Sequence, residues 1–188
     1  MKKTLNGALI VIISGLLISG CAGNRDLITQ ESIGSRQDVF TEIRGNDVPT
    51  GKALADIVFS VKSNSSLFLW NYNKHTDPPY RVHLSIDGQS TILEAEPVLE
   101  DKSPIGSNYP ESGTGWKYQF RKRIALAPGK HKLTIALPVD DVLVEREIVL
   151  REGVNMVMLQ PRYNKKMLRP HKGENFAAGI KSVEVLID

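Results

Sequence analysis

The chain has 188 residues, with 24 lysines and arginines against 21 aspartates and glutamates, and a formal net charge of +3. This length fits one domain with a tether, or at most two small domains. The near balance of charge gives no support for nucleic acid binding, which requires a strongly basic surface. The single cysteine, Cys21, excludes an internal disulfide, so the domain must be stabilised by packing.

Residues 1–20 have the composition of a secretion signal. Residues 1–3 are basic, residues 8–18 are mostly apolar, and two small residues precede Cys21. A transmembrane helix needs about 20 predominantly apolar residues, and this run is shorter and diluted by serine and glycine. Removal of residues 1–20 takes away two lysines and lowers the formal net charge from +3 to about +1.

The end of this signal, Ile18-Ser19-Gly20-Cys21, resembles the lipobox of bacterial lipoproteins. The resemblance implies that the chain is cut before Cys21, whose thiol takes a diacylglycerol group and whose freed amine takes a further acyl chain. Two or more acyl chains give stable membrane anchoring. Ala22 stands where an aspartate retains enterobacterial lipoproteins at the inner membrane. We therefore expect a protein anchored in the outer membrane and facing the periplasm.

Residues 21–50 are predicted to form the lipidated N-terminus and a flexible tether, because apolar residues there are sparse and not periodic. Val39, Phe40 and Ile43 form a small apolar cluster that either docks on the domain or starts an edge strand. A turn-rich boundary follows, so the folded domain is predicted to span residues 51–188.

From residue 54 onward, apolar and polar residues alternate with the period of two that is typical of half-buried strands. Asp-Gly, Pro-Gly, Asp-Asp and Glu-Gly pairs predict the turns between them. We predict strands near residues 54–62, 82–86, 91–95, 118–126, 133–137, 142–150, 154–160 and 180–187. Lys122 interrupts the alternation and predicts a bulge or an edge. A short turn of helix is predicted near residues 176–178.

Short strands at this spacing predict an all-β, antiparallel sandwich of the immunoglobulin-like or transthyretin-like type. Residues 84–88, 126–133 and 149–155 resemble PEGA-type and transthyretin-like modules of bacterial surface proteins, through their Asp-Gly, Pro-Gly and Glu-Gly turns. The match spans roughly residues 80–162. It departs from the family at the expected Ser-x-Pro-x-Gly-Ala opening and carries a long insertion between the first two turns. The resemblance implies a non-catalytic binding or structural module.

Two long connections, residues 63–80 and 97–116, carry most of the features that suggest function. Structureless loops of this length are often functional. Aromatic residues lie in or beside them: Trp70, Tyr72, Tyr80, Tyr109 and Trp116. If these side chains are exposed, their flat apolar faces can bind sugar rings or a protein partner. Alternatively, both tryptophans are core or edge anchors. A third connection, 162–178, is basic and suits anionic headgroups or a polyanionic glycan, or is simply solvated.

Nothing in the sequence indicates catalysis or a bound metal. His75, His83, His131 and His171 lack metal-ligand spacing, and His83 and His131 are predicted to point outward from strands. No nucleophile elbow, zinc-protease or phosphate-loop motif is present. We expect no metal, no cofactor and no enzyme activity.

These features predict a lipid-anchored, non-enzymatic envelope protein that binds a protein or glycan partner through loops 63–80 and 97–116. The alternative is a structural accessory subunit of an outer-membrane assembly, whose strand edges pair with a partner chain. A hydrolase would require a cleft with perturbed acids or a histidine–acid pair.

Overall fold

The computed structural model describes residues 29, 33–45, 49–64, 79–102, 109–166 and 173–188, and within them the fold is a β-sandwich. The strands are β1 (Phe40–Glu42), β2 (Ala53–Asn64), β3 (Val82–Ile86), β4 (Gln89–Leu93), β5 (Val98–Lys102), β6 (Gly113–Leu126), β7 (Gly129–Leu137), β8 (Val142–Leu150), β9 (Gly153–Tyr163), β10 (Lys165–Lys166), β11 (Gly173–Glu174) and β12 (Ile180–Ile187). A 3-10 helix at Phe176–Ala178 confirms the predicted helical turn. No helix among these residues is long and apolar enough to cross a membrane.

Two sheets form the sandwich. Sheet A has the order β1-β6-β2-β9-β12, with β5 also pairing β6, and sheet B has the order β4-β3-β7-β8. Strands β10 and β11 form a separate small pair. The predicted all-β sandwich is confirmed, with one difference: β2 and β9 pair in parallel. Parallel neighbours require a crossover connection, and here the chain from β3 to β8 provides it.

The core lies between the sheets and follows from the alternation seen in the sequence. In β2, Ile57, Phe59 and Val61 face inward and are almost fully buried. They lie opposite the inward side of β6, where the rings of Tyr118 and Phe120 stack at 6.0 Å. Sheet B covers them with a matching apolar face: Val82, Leu84, Ile86, Leu133, Ile135 and Leu137.

Of the two alternatives for Lys122, the bulge is wrong, because β6 pairs with β2 in unbroken register along its length. The edge is confirmed: β5 pairs with residues 113–117 and β1 with residues 124–126, so among the described residues Lys122 lies at the margin of the sheet. Its Nζ contacts Glu42 Oε1 at 2.7 Å. Residues 97–116 are also not a structureless loop, since β5 forms a hairpin with the start of β6. Residues 103–108 lie outside the described part of the chain.

The outer face of sheet A carries a buried carboxylate, Asp56. Arg121 donates to its two oxygens at 2.8 and 2.6 Å, and Arg123 Nε donates to Oδ2 at 3.1 Å. The hydrogen bonds from Arg121 outweigh the effect of burial and lower the pKa of Asp56. The charged form of Asp56 is therefore stabilised in the folded state.

We expect Asp56→Asn to cost about 1–3 kcal/mol of stability at neutral pH. Because the folded-state pKa lies below that of the unfolded chain, this contribution is complete above about pH 4 and is lost as the pH falls through the lowered pKa. Urea unfolding across the acid range would show the two proteins converging only below that value. Glu184→Gln, which removes the exposed partner of Arg162, is the matched control and should change little.

The second half of the predicted tether belongs to the fold. Gly34 N donates to Ser90 Oγ at 2.6 Å and Arg36 N to Gly88 O at 3.1 Å. Strand β1 then pairs with the end of β6, held beside β4 by the side chain of Gln89. Residues 34–42 therefore contact the domain that was predicted to begin at residue 51. Phe40 of the apolar cluster begins an edge strand, as one of the two interpretations predicted.

This docking depends on a glycine at position 34. A Cβ there would lie 1.7 Å from Gly88 O, which is backbone and cannot move aside easily. We expect Gly34→Ala to release residues 33–36 and to speed tryptic cleavage after Arg36, with a global stability loss below about 1 kcal/mol. Ser35→Ala, at an exposed neighbouring position, is the control. Unchanged cleavage in Gly34→Ala would show that the docking does not persist in solution.

The sandwich has two distinct ends. The proximal end contains the β3–β4, β6–β7 and β8–β9 turns, and it is where residues 33–36 dock. The distal end contains the end of β2, the starts of β3 and β6, and the β7–β8 turn. The connections that leave β2, β5 and β10 all begin and end at the distal end. The three long connections singled out in the sequence therefore share one end of the molecule.

Candidate functional site

A cleft of about 220 Å³ opens between the two sheets at the distal end. It is lined by Tyr80 and Tyr118, whose ring centroids lie 5.7 Å apart, and by Phe176 of the 3-10 helix. Val139 and Asp140 of the β7–β8 turn also line it. Ligand pockets for whole small molecules usually measure about 300–1,000 Å³, so this cleft is smaller than the usual site for a cofactor.

The polar groups of this cleft are already engaged with one another. Tyr80 Oη donates to Asp140 Oδ2 at 2.5 Å, and Ile180 N donates to Oδ1 of the same carboxylate at 2.8 Å. Burial, reinforced by the Asp140 charge, raises the pKa of Tyr80, so its hydroxyl remains a hydrogen-bond donor. These hydrogen bonds hold the β7–β8 turn against Tyr80 and the start of β12.

Lys62 also lines the cleft, and its side chain is 0% exposed. Its Nζ donates to the carbonyl oxygens of Glu111 and Gly113 at 3.1 and 2.5 Å and lies 3.3 Å from Glu100 Oε2. It also lies 5.1 Å from the centroid of the Phe176 ring. Burial lowers the pKa of Lys62, and the hydrogen bond and charge of Glu100 oppose that shift.

Tyr163 and Lys117 complete this buried charge network around Glu111. Tyr163 Oη donates to Glu111 Oε1 at 2.8 Å and accepts from Lys62 N at 3.1 Å. Lys117 Nζ contacts the other carboxylate oxygen of Glu111. Burial raises the pKa of Tyr163, which keeps its hydroxyl protonated and able to make both bonds. The network holds the turn before β6, from which one of the distal connections departs.

Gly115 allows the 3-10 helix that carries Phe176 to approach sheet A closely beside this network. A Cβ at position 115 would lie 2.6 Å from both the Phe176 ring and Ser63 O. Only glycine therefore lets the 3-10 helix pack directly on β6 at this point. The network is consequently shielded from solvent by Phe176 and by the Glu111–Gly113 turn.

The aromatic residues proposed from the sequence do not share one environment. Tyr80 and Trp116 are 4% and 7% exposed and belong to the core, so they are not parts of an exposed platform. Trp116 faces inward with Tyr118 and Phe120, which confirms its interpretation as a core anchor. Tyr109 is 54% exposed at the distal end. Trp70, Tyr72 and the lipidation residue Cys21 lie outside the described residues.

The prediction that His131 points outward is wrong. It is buried, with Nδ1 2.7 Å from Asp87 Oδ2 and Nε2 2.8 Å from Ala127 O. Its position is on the same side of β7 as Leu133 and Ile135, so the alternation places it inward. His83, by contrast, is half-buried and lies on the outer face of sheet B, opposite Ile92.

The described residues contain no group of three or more histidine, cysteine, aspartate or glutamate side chains placed to hold a metal ion. The titratable groups around the cleft, Lys62, Glu111, Tyr80 and Asp140, hydrogen-bond to one another or to backbone. A comparison of the chain with known protein families, curated proteins and solved structures finds no match.

Proposed function

We propose that this protein is a lipid-anchored component of the bacterial outer membrane that binds a protein or glycan partner at its distal end, without catalysing a reaction. One observation carries the proposal: the N-terminal segment docks at the proximal end, whereas the three long connections begin and end at the opposite end. A domain attached at one end meets partners with the other. The exposed Tyr109 lies on that distal surface.

The dimensions of the molecule support this geometry. Residues 22–32, between the lipidated cysteine and the docked segment, span at most about 40 Å when fully extended. Strand β2 has 12 residues and runs from one end of the sandwich to the other, a length of about 40 Å. A domain that stood upright would therefore hold its distal end about 40 Å from the lipid headgroups.

The anchor is tested by Cys21→Ser. Without a thiol at this position no diacylglycerol can be attached, and we expect the protein to move from the detergent phase to the aqueous phase in detergent-phase separation. The matched control is Ser32→Ala, which leaves the lipobox resemblance intact. Continued partition of Cys21→Ser into the detergent phase would contradict lipid anchoring.

The binding surface is tested by photo-crosslinking in intact cells. A crosslinking residue at Tyr109 should give discrete adducts with a protein or with envelope polysaccharide, whereas the same residue at Ile92, exposed on the outer face of sheet B, should not. Trp70 and Tyr72 are the further positions to probe. Equal adduct patterns from Tyr109 and Ile92 would argue against a distal binding surface.

A structural accessory subunit is the second candidate, and the outer edge of β12 favours it. Within the described residues β12 pairs only with β9, so Val183 to Ile187 present an open edge. The register shift beside Lys181 protects the first part of the strand, as charges and bulges do on natural edges. Co-purification with a larger complex, lost when Val185 is replaced by proline, would favour strand pairing.

A further inference from the structure

The outer edge of β12 presents backbone groups with which no other described strand pairs. Their direction follows from the register with β9. Asp188 N donates to Met156 O at 3.1 Å, so position 188 belongs to a hydrogen-bonded pair. Such pairs alternate along an antiparallel ladder, so the even-numbered positions from 182 onward bond to β9. The residues that turn their N–H and C=O groups to the open side are therefore Val183, Val185 and Ile187.

The side chains of β12 become more exposed along the strand. Ile180 is 3% exposed, and its N–H is bonded to Asp140 Oδ1, so the β7–β8 turn closes the start of β12. Leu186 and Ile187, by contrast, are 42% and 40% exposed. The open part of this edge therefore lies toward the proximal end, and its last side chains are apolar.

The other edges of the two sheets carry features by which natural edges avoid pairing. Strand β1 has only three residues, and β5, its neighbour along β6, has charged side chains at residues 100–102. Strand β8 has charged side chains at residues 145–147. The edge of β4 lies against β1, where the Gln89 side chain hydrogen-bonds to both backbone groups of Phe40. Residues 185–187 of β12 carry no charge.

We propose that the open edge of β12 pairs with the same edge of a second copy of this chain, so that sheet A continues across a twofold axis at Val185. This pairing rests on strand addition at β12, the second candidate function, and names the chain that takes part. It does not require the lipid anchor. A closed twofold contact of this kind uses the same residues on both copies, so it must be complementary to itself.

The charges of β12 select the register. A twofold axis perpendicular to sheet A keeps both inner faces on one side, so residues that lie opposite each other must share a face. An axis at Glu184 would place its carboxylate opposite itself, and an axis at Leu186 would place Glu184 opposite Asp188. Like charges directly opposite each other are destabilising. An axis at Val183 would need the start of β12, which the β7–β8 turn closes. These conflicts are absent when the axis passes through Val185.

On the inner face, this register brings apolar side chains together. Val185 lies opposite Val185 of the second copy, and Val183 lies opposite Ile187. These are also the residues whose N–H and C=O groups turn to the open side, so each pair can exchange backbone hydrogen bonds. The exposed Ile187 is then covered by the second copy. Backbone and side chains therefore favour the same register.

The outer face accommodates this register as well. Ser182 lies opposite Asp188, where its hydroxyl can donate to the carboxylate. Glu184 lies opposite Leu186, and its carboxylate keeps the ion pair with Arg162 of its own copy, at 2.5 Å. Like charges of β12 therefore do not lie directly opposite one another.

Pairing in this way places the two distal ends at the extremities of the dimer. The paired strands run antiparallel, and the open part of β12 lies toward the proximal end, so the proximal ends overlap near the axis. On one bilayer such a dimer lies with its strands along the surface. Both distal ends then stay accessible to the partner proposed above, far from the docked N-terminal segments.

Disulfide formation at position 185 tests the axis directly. The Cα atoms of a hydrogen-bonded antiparallel pair are about 5.5 Å apart, within the range of about 4.4–6.8 Å that a disulfide spans. Cells that express the full chain with Val185→Cys are treated with a mild oxidant, and we expect a dimer of twice the chain mass on non-reducing electrophoresis. Ile187→Cys is the matched control, on the same strand and more exposed. Its two copies lie on the order of 13 Å apart along the strand, so we expect at least about tenfold less dimer.

Two further measurements test the register. Val183→Cys and Ile187→Cys should form a mixed dimer only when both variants are expressed together, because each position lies opposite the other. Ile187→Asp should lower the yield of the Val185→Cys dimer at least about tenfold, because it buries a carboxylate against Val183 at two places in the dimer. Ile92→Asp, at a position 44% exposed on sheet B, is the matched control and should leave the yield unchanged.

The outcomes separate self-pairing from the functions proposed above. Adducts of Val185→Cys with a chain of another mass would overturn self-pairing and favour the accessory subunit. Equal dimer yields from Val185→Cys and Ile187→Cys would indicate chance collisions and overturn the proposed contact. An absence of any adduct from Val185→Cys would overturn strand pairing at this edge altogether. A disulfide dimer of the unaltered chain through Cys21 would contradict the lipid anchor and not the pairing, and the Val185→Cys measurement would then be made with Cys21→Ser.

Discussion

Replacing Lys62 by methionine is expected to destabilise the protein by about 3–5 kcal/mol, the usual cost of removing one partner from a buried charge network. Methionine fills similar space but removes the cation that Glu100 and the carbonyl groups of Glu111 and Gly113 contact. Those groups stay covered by Phe176 and the turn before β6, where water cannot readily replace the ammonium group. Urea unfolding at neutral pH measures the difference.

Lys130→Met is the matched control for this experiment. Lys130 makes an ion pair with Glu147 at 2.9 Å, but both side chains are more than half exposed, so the loss should be below about 0.5 kcal/mol. A loss in Lys62→Met as small as in Lys130→Met would show that solvent reaches the network and that it does not hold the distal turn. Increased proteolysis between Lys102 and Gly113 in Lys62→Met would support that holding role.

Strand positions were predictable because burial on one face imposes a period of two on the sequence. Residues 180–187 were predicted as a strand and form β12, and the Asp-Gly hairpin is confirmed by left-handed backbone angles at Asp87 and Gly88. The pairing of strands that are distant in the sequence produces no comparable periodic pattern. Strand β5 was missed because its residues 98–102 include three charged side chains, and it is defined by pairing with β6 rather than by its own alternation.

The distal site was less predictable, for a physical reason that Lys62 illustrates. Alternation places Lys62 on the outer side of β2, where a lysine is normally solvated. It is buried because Glu111, about 50 positions later, and Phe176, more than 110 positions later, fold over it. No pattern in the sequence around Lys62 indicates that these distant residues bury it. His131 was different, since its parity with Leu133 already indicated an inward side chain.

Trp116 shows how the structure changes the interpretation of a binding experiment. In the register of sheet A it is paired with Leu99 of β5 and with Ser63 of β2, and its side chain faces the core. Trp116→Ala should therefore cost about 3–5 kcal/mol of stability, through the loss of buried surface and the cavity left behind. Thermal or urea unfolding gives that value directly. Loss of partner binding in this variant would report unfolding rather than a missing contact.

Tyr109→Ala is the matched aromatic truncation at an exposed distal position, and it should change stability by no more than about 0.5 kcal/mol. If Tyr109 contacts the partner, its truncation should weaken binding while the protein stays folded. Trp116→Phe should restore most of the stability lost in Trp116→Ala, because a smaller aromatic ring refills much of the cavity. A stable Trp116→Ala protein that had lost partner binding would contradict the core assignment and return Trp116 to the binding surface.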